Sequence, residues 1–374
     1  EPELVHDRFA QKRNIPKGKG KEIEFRKYDP LPKALTPITE GVTPKGRKLS
    51  MTTLTAQVDQ YGDFVEISDI LDLTAIDNNL QEATVLLGSQ AGRTLDTITR
   101  EVINGGSNVQ YGEGQVTGRH LLVGGETTGN HYFTVRAVRK AVRFLKTMNA
   151  PRYEGSYWAI IHPDCSYDIQ DDPDWKRPHE YKDTSNIYDD EIGKIAGVRF
   201  IETTEAKVFH ADDLTEGARD LTVKSASGKV LTVNEAITTA DAAKLAGREV
   251  VIGGALLEIE SASAAGAGSA TITLKEAPAT TPAASTAIYP GEAGAKGRNV
   301  YSTLIMGAEA YGTTELTGGG LEHIVKPLGS AGTADPLNQR ATVGWKATKV
   351  AERLVEAYMI RVETTSTFDE TPLT

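Results

Sequence analysis

The chain has 374 residues, a hydrophobic fraction of 39% and a formal net charge of -10 at pH 7. This length predicts two or three domains, and the composition is typical of a folded protein with a core rather than of a disordered one. No stretch approaches the roughly 18 consecutive apolar residues that a membrane span needs, and the N-terminus lacks the apolar core of a signal peptide, so we expect a soluble protein that is not secreted. The single cysteine, Cys165, excludes an intrachain disulfide and a cysteine-rich zinc site.

Charge is distributed unevenly along the chain. Residues 1–48 carry twelve Lys and Arg against seven Asp and Glu, whereas residues 161–220 carry seven against sixteen. The negative total argues against a simple nucleic-acid-binding protein, which is usually basic. Patches of opposite sign can steer identical copies toward each other or can place a basic arm near DNA, and solvated faces without a partner are the alternative.

The first 67 residues predict an arm followed by a long hairpin. Residues 1–20 end in a polar run of Pro, Lys and Gly, which indicates an extended arm rather than a packed element. Apolar and polar residues alternate from Lys21 to Tyr28 and again from Leu54 toward Ile67, with prolines and glycines between the two runs. Because a two-stranded hairpin is at best marginally stable alone, we expect it to lie on a neighbouring subunit.

The strongest helix signal covers Asn79 to Asn104. Apolar residues recur there at spacings of three and four, and Gly105 and Gly106 end the pattern. Such a helix is roughly 39 Å long at about 1.5 Å per residue, which is long for a compact domain. We assign it to a domain over residues 68–132.

Residues 133–204 predict a mixed helix and strand region. Val135, Val138, Val142 and Leu145 form an apolar helical stripe, and strands are expected at Tyr157–Ile161 and Val198–Ile201. A DNA-facing role, a solvated surface and a contact between subunits all remain open for the opposite, basic face of the helix, which carries Arg136, Arg139, Lys140 and Arg143.

Composition shifts again near Glu205. From there to Arg298 the chain is rich in Ala, Thr, Gly and Val, with short alternating runs separated by turns, and this predicts an inserted all-β module over residues 205–298. The expected strands are Leu221–Lys224, Val230–Val233, Glu249–Ile252, Leu256–Ile259 and Thr271–Leu274. Residues 299–374 return to mixed character, with strands expected at Val343–Lys346 and Tyr358–Glu363.

No phosphate-loop, dinucleotide, serine-hydrolase or zincin motif is present. Two clusters contain residue types that ligate metals. The structural alternative for the first is a strand end followed by a helix whose first turn is capped by Asp164. We interpret a glycine triplet as a loop and two acidic pairs as solvated charges, and we predict no catalytic residue, no cofactor, no metal site and no enzyme activity. The clusters are His162 with Asp164 and Cys165, and His210 with Asp212 and Asp213; the triplet is Gly318–Gly320, and the pairs are Asp171–Asp172 and Asp189–Asp190.

The order of these elements, together with several short motifs, resembles the major capsid proteins of tailed bacteriophages, which have the Hong Kong 97-type (Johnson) fold. The resemblance covers about residues 4–204 and 299–363, and no motif is diagnostic alone. The motifs are Thr36 to Pro44, Gln60-Tyr61-Gly62, Ile67-Ser68-Asp69, Thr94-Leu95-Asp96, Ile160 to Pro163, Gly193 to Phe200, Asp335 to Gln339 and Val343 to Lys346.

The resemblance implies an α+β fold with an inserted all-β domain. Its parts are an N-terminal arm (1–20), an extended loop hairpin over the adjacent subunit (21–67), a peripheral domain with a long spine helix (68–132), an axial domain (133–204), the inserted β-domain (205–298) and a return to the axial and peripheral domains (299–374).

The implied function is a shell subunit that self-assembles into hexamers and pentamers of an icosahedral phage head around double-stranded DNA. The expected partners are other copies of the chain, DNA bound without sequence preference, and portal, scaffolding and decoration proteins, with no membrane. The implied location is the virion capsid, after assembly in the cytoplasm of a bacterial host. Alternatives are an encapsulin-like nanocompartment that encloses a cargo protein, a surface or sugar-binding β-protein, and a metal-dependent hydrolase.

Overall fold

The computed structural model describes residues 4–13, 22–28, 31–37, 40–41, 43, 46–70, 79–124, 130–175, 191–314, 321–330, 337 and 339–368. Among these residues, no helix is both long enough and apolar enough to cross a membrane. The chain divides into two compact units, which are Glu3–Gly105 with Glu309–Glu356, and Gly106–Ala308 with Ala357–Thr374.

The first unit contains one long helix and eight strands among its described residues. They are β1 (Gln11–Arg13), β2 (Glu22–Tyr28), β3 (Met51–Gln57), β4 (Asp59–Ser68), α1 (Asn79–Asn104), β17 (Tyr311–Thr314), β18 (Leu321–Lys326), β19 (Arg340–Lys349) and β20 (Ala351–Arg353).

The long helix α1 has the predicted bounds. Its apolar side packs on one face of a three-stranded antiparallel sheet in the order β18–β19–β4. The contacts join Leu87, Ala91 and Leu95 of the helix to Val343, Trp345 and Ala347 of the central strand. Burying the helix stripe against this sheet forms the core of the unit.

The N-terminal residues differ from the predicted arm. Val5 and His6 are fully buried, and β1 pairs in parallel with β17. The prediction of an extended, unpacked segment is therefore wrong for residues 4–13. The segment is polar by composition, but polar side chains from distant parts of the chain bind it and keep it packed.

The hairpin forms, but it is shorter than predicted. Strands β2 and β3 pair in register from Glu22 opposite Gln57 to Tyr28 opposite Met51. The alternation continues through Val58, yet β4 leaves the hairpin and pairs with β19 instead. The base of the hairpin also packs on its own chain, since the buried Phe25 belongs to a cluster with Val350 and Leu354.

The second unit contains three α-helices and thirteen strands among its described residues. The helices are α2 (Val135–Thr147), α3 (Pro163–Asp171) and α4 (Thr239–Leu245). The strands are β5 (Val109–Tyr111), β6 (Tyr157–Ile161), β7 (Glu191–Ile195), β8 (Val198–Glu202), β9 (Val208–Phe209), β10 (Leu221–Ser227), β11 (Val230–Val233), β12 (Glu249–Ile252), β13 (Ala255–Ser263), β14 (Thr271–Leu274), β15 (Ala287–Pro290), β16 (Val300–Met306) and β21 (Met359–Thr364).

A seven-stranded sheet forms the centre of this unit. Its order is β5–β21–β16–β6–β8–β7, with β9 also pairing with β16. Helix α2 packs on it through its apolar stripe. Strand β5 pairs with β21, so the boundary between the units lies at 105–106 and not at the 132–133 boundary expected from the sequence.

The inserted module is a closed six-stranded barrel made of β10 to β15. Its interior is a separate apolar cluster that includes Leu221, Leu231 and Ile272. Helix α4, which the sequence analysis missed, begins at a capping box in which Thr238 and Asp241 bond to each other's backbone N–H groups. Closure removes exposed strand edges, so the barrel needs no partner to satisfy its backbone.

Candidate functional site

Exposed apolar side chains are concentrated on the first unit. Among the described residues it carries fifteen of the twenty-one large hydrophobic side chains that are exposed, although it is the smaller unit. Contiguous exposed apolar surface usually marks an interaction site. The first unit therefore carries the surface most suited to contacts with another macromolecule.

One such surface is the open face of the β4–β19–β18 sheet. Phe64, Gly344 and Ile324 lie directly opposite one another on the three strands. Phe64 is 65% exposed and Ile324 is 38% exposed. A Cβ atom at Gly344 would lie 2.8 Å from the Cβ of Phe64 and 2.9 Å from the Asp63 carbonyl oxygen, so only glycine fits between them. We call the surface formed by Phe64, Gly344 and Ile324 the open sheet face.

Charged pairs flank this apolar centre. Lys346 Nζ lies 3.0 Å from Glu322 Oε2, and Arg340 Nε lies 3.0 Å from Glu66 Oε1, on the same side of the sheet. Exposed pairs of this kind contribute about 0–1 kcal/mol each, so they do little for the fold. An apolar centre with a polar rim is the usual anatomy of a protein interface.

The far end of the hairpin is the second exposed apolar surface. Leu35 is 83% exposed and Leu49 is 72% exposed, and Leu31 is also exposed. Arg47 Nη1 donates a hydrogen bond to the Pro32 carbonyl oxygen at 3.1 Å and joins the two sides of this segment. Because burial of apolar surface is favourable, a partner surface that covers these three exposed leucines would stabilise the segment.

A buried polar network holds the N-terminal residues to the first unit. His6 Nδ1 lies 2.6 Å from Asp96 Oδ2, and both side chains are nearly inaccessible. Thr99 donates to Asp7 Oδ1 at 2.6 Å, and Lys349 Nζ pairs with the same Asp7 carboxylate. Burial lowers the pKa of Lys349, while the Asp7 carboxylate raises it. Removing one partner would leave a buried charge unpaired, so the network fixes the path of the N-terminus.

A second buried charge cluster lies in the other unit. Glu363 is fully buried and pairs with the Arg119 guanidinium, with Nε–Oε2 and Nη2–Oε1 distances of 2.7 and 2.8 Å. Arg361 Nε lies 2.7 Å from the same carboxylate. The Arg119 guanidinium also lies 3.4 Å above the Phe209 ring. One fully buried carboxylate therefore balances two partly buried guanidiniums.

The first candidate cluster has a structural role. His162, and not Asp164, is the N-cap of α3, since its Nδ1 accepts a hydrogen bond from the Asp164 N–H. Tyr301 donates to Asp164 Oδ2 at 2.6 Å. Cys165 is fully buried, with its Sγ 3.6 Å from Thr364 Oγ1. Burial lowers the pKa of His162, the nearby acids Asp164 and Glu202 raise it, and His210 lowers it further.

The second candidate cluster lines a cavity. His210 Nδ1 lies 3.1 Å from Asn299 Oδ1, and the backbone carbonyl groups of Asp212 and Asp213 accept hydrogen bonds from Arg248. His210, Asp212, Asp213 and Arg248 line a cavity of about 820 Å³. In the described part of the chain, no three His, Cys, Asp or Glu residues are grouped to hold a metal ion.

The remaining sequence candidates give no further site. Asp172 Oδ2 accepts a hydrogen bond from the Val135 N–H at 2.9 Å, and Oδ1 accepts one from the Asp174 N–H at 2.8 Å, so this member of the Asp171–Asp172 pair organises the start of α2. The Gly318–Gly320 triplet and the Asp189–Asp190 pair lie outside the described residues.

This chain is similar to known phage capsid proteins in part of its sequence and in its fold. The family model described as phage capsid protein matches residues 51–207. Over these residues the chain is similar to the phage capsid protein family. No curated protein sequence matches the chain.

Solved phage capsids share the fold of this chain. The capsid of Ralstonia phage GP4 has a TM-score of 0.58 at 12% identity, and the match covers 97% of this chain and 88% of that one. The capsid of the cyanophage P-SCSP1u has a TM-score of 0.55 at 12% identity, with 98% and 89% coverage. The cyanophage Pam1 capsid has a TM-score of 0.55 at 13% identity, with 98% and 94% coverage. The predicted Hong Kong 97-type α+β fold is confirmed.

The open sheet face was not predicted from the sequence. The sequence contains both Phe64 and the glycine of the Val343-Gly344-Trp345 motif. Only the strand register shows that these two residues lie opposite each other. The buried networks were not predicted either, because His6, Asp96 and Lys349 are far apart in the sequence.

Proposed function

We propose that the chain is the major capsid protein of a tailed phage, and that its copies form hexamers and pentamers which close an icosahedral head around double-stranded DNA. The family match over residues 51–207 and the shared fold support this role. The protein then acts structurally and catalyses no reaction.

The observation that carries the proposal is the exposed apolar surface of the first unit. Phe64 and Ile324 on the open sheet face, and Leu31, Leu35 and Leu49 on the hairpin, are exposed in the isolated chain. Burial of such surface contributes about 25 cal/mol per Å². Because that stabilisation is gained only where copies meet, it makes assembly favourable and couples subunit stability to it.

Each hairpin extends over the adjacent subunit in this arrangement. Its base is fixed by Phe25, which is 1% exposed, while the leucines near its other end are exposed. A hairpin with a packed base and an exposed apolar end is able to contact a neighbouring subunit. The first unit corresponds to the peripheral domain with its spine helix α1, and the second to the axial domain with the inserted barrel.

Further partners follow from the same role. A closed head needs a portal for DNA entry, and scaffolding and decoration proteins are expected to bind the shell. Assembly takes place in the cytoplasm of the bacterial host, and the mature protein resides in the virion capsid.

Electron microscopy of the purified protein, with nucleic-acid absorbance of the same fraction, tests the proposal. Closed particles of uniform size are expected, and they should contain DNA when they are isolated from infected cells. Closed particles that contain a cargo protein and no nucleic acid would point to a nanocompartment instead. A folded chain that remains monomeric under all assembly conditions would refute a shell role.

A further inference from the structure

The basic face of α2 stands out in an acidic chain. Residues 131–153 contain no Asp or Glu, although the whole chain has a net charge of -10. The same stretch contains six cationic side chains, five on α2 and one just after it. They are Arg136, Arg139, Lys140, Arg143, Lys146 and Arg152.

The helix places its five cations on one side. The buried residues of α2 are Val135, Ala137, Val138, Ala141, Val142 and Leu145, whereas all five cations are exposed. At 3.6 residues per turn the cations fall within an arc of about 120°, and Arg136 and Lys146 are about 15 Å apart along the axis. We call this array the basic face.

Arg136 contradicts the usual charge preference of a helix, whereas Lys146 lies in the last turn, where a cation is favourable. The N-cap is Thr134, so Arg136 lies in the first turn, which contains no acidic residue. Cations near a helix N-terminus are unfavourable because the macrodipole is positive there. A sequence that breaks such a local rule on an exposed surface usually does so for function.

Only the first half of the basic face has acidic neighbours. Arg136 Nε lies 3.4 Å from Glu113 Oε2, and Arg139 Nη1 lies 3.3 Å from Asp174 Oδ2. Both arginines remain more than half exposed. Arg143 and Lys146 form no ion pair with any carboxylate among the described residues. The face therefore keeps a positive charge.

The composition of this face favours phosphate over protein as its ligand. Protein interfaces use apolar and aromatic anchors and are depleted in Lys, and the basic face has no exposed apolar side chain until Met148, just past its end. The first unit, in contrast, presents apolar centres for copy contacts. Rows of exposed Lys and Arg are the usual means of contacting nucleic-acid backbones.

We propose that the basic face of α2 binds the phosphate backbone of double-stranded DNA without sequence preference. This inference rests on the proposed function, since a head subunit meets DNA at high local concentration. It assigns the contact to a particular surface of an otherwise acidic protein.

Fluorescence anisotropy with a short labelled DNA duplex tests the inference on the unassembled, full-length subunit over a series of salt concentrations. The variant is Arg143→Gln with Lys146→Gln, and the matched control is Lys224→Gln with Lys229→Gln on the barrel. Since each phosphate contact contributes about -0.9 to the slope of log K against log salt, the first variant should reduce that slope by about 2. The control variant should leave it unchanged. Replacing Arg143 with Lys and Lys146 with Arg keeps both charges and should preserve the wild-type slope.

Two results would overturn the inference. One is a wild-type subunit that does not bind the duplex. The other is a Gln variant with the wild-type slope; if that variant also no longer assembles, the face is assigned to a second copy of the chain. Circular dichroism of each variant verifies folding. A failure of the proposed function would appear separately, as the absence of closed particles from the wild-type protein.

Discussion

Replacing Phe64 with serine should block assembly and leave the subunit folded. A phenylalanine side chain offers about 150–250 Å², so its 65% exposure leaves about 100–160 Å² to be covered by a neighbour. At about 25 cal/mol per Å² the lost contact costs up to about 2.5–4 kcal/mol per interface. That corresponds to a roughly 60- to 700-fold weaker contact. Because the Phe64 side chain is mostly exposed and contributes little to the packing of the subunit core, the midpoint of unfolding should change little.

The assay is light scattering over a range of protein concentrations, with the concentration at which particles first form as the readout. Leu256→Ser on the barrel is the matched control, since that leucine is also exposed but lies in the second unit. Serine at position 64 should raise the threshold strongly, and serine at position 256 should not. Equal thresholds for the two variants would refute the assignment of copy contacts to the open sheet face.

Three further outcomes follow from the structure. Deletion of residues 29–48 should give a folded subunit that fails to assemble, because the hairpin base at Phe25 stays packed while the exposed leucines are lost; normal particles would contradict this. Glu363→Gln should lower the free energy of unfolding by about 3–5 kcal/mol, measured by urea denaturation, because the partly buried Arg119 and Arg361 guanidiniums lose their counter-charge. Burial lowers the pKa of His162, so this histidine is protonated at a higher pH in the unfolded chain than in the folded one. The free energy of unfolding should therefore fall as the pH drops through 6.5 and below, and His162→Gln should weaken that dependence.

Each of these outcomes has its own control. Glu258→Gln removes an exposed pair with Lys275 and should cost at most about 1 kcal/mol. A loss that small at Glu363 would contradict the buried network. The pKa values of His120 and His131 are lowered by burial as well, so the His162 variant should reduce the pH dependence without abolishing it. A titration of His162 at or above 6.5, followed by NMR, would contradict the sign.

Local patterns predicted most of the regular elements. The bounds of α1, β11, β12 and β14 agree with the sequence to the residue, because their alternation or helical spacing is bounded by turn residues on both sides. The short helix α4 was missed although Thr238 and Asp241 have capping-box spacing, since its alanines give no clear apolar stripe.

What the sequence could not supply was pairing over long distances. The alternation through Val58 predicts one continuous strand. The strand divides because β3 pairs with β2, whereas β4 pairs with β19. The burial of residues 4–13 depends in the same way on Asp96 and Lys349, which contribute charge at positions that no local pattern connects. The candidate site is likewise non-local, because the open sheet face exists only once β4, β19 and β18 are in register.

The central claim is that copies of the chain meet through the first unit. Hydrogen–deuterium exchange of the free subunit and of the assembled particle tests it most directly. Assembly should slow exchange chiefly in β4, in β18 and in the hairpin segments 31–37 and 46–50. Slowing confined to the second unit, with unchanged exchange in these segments, would contradict it.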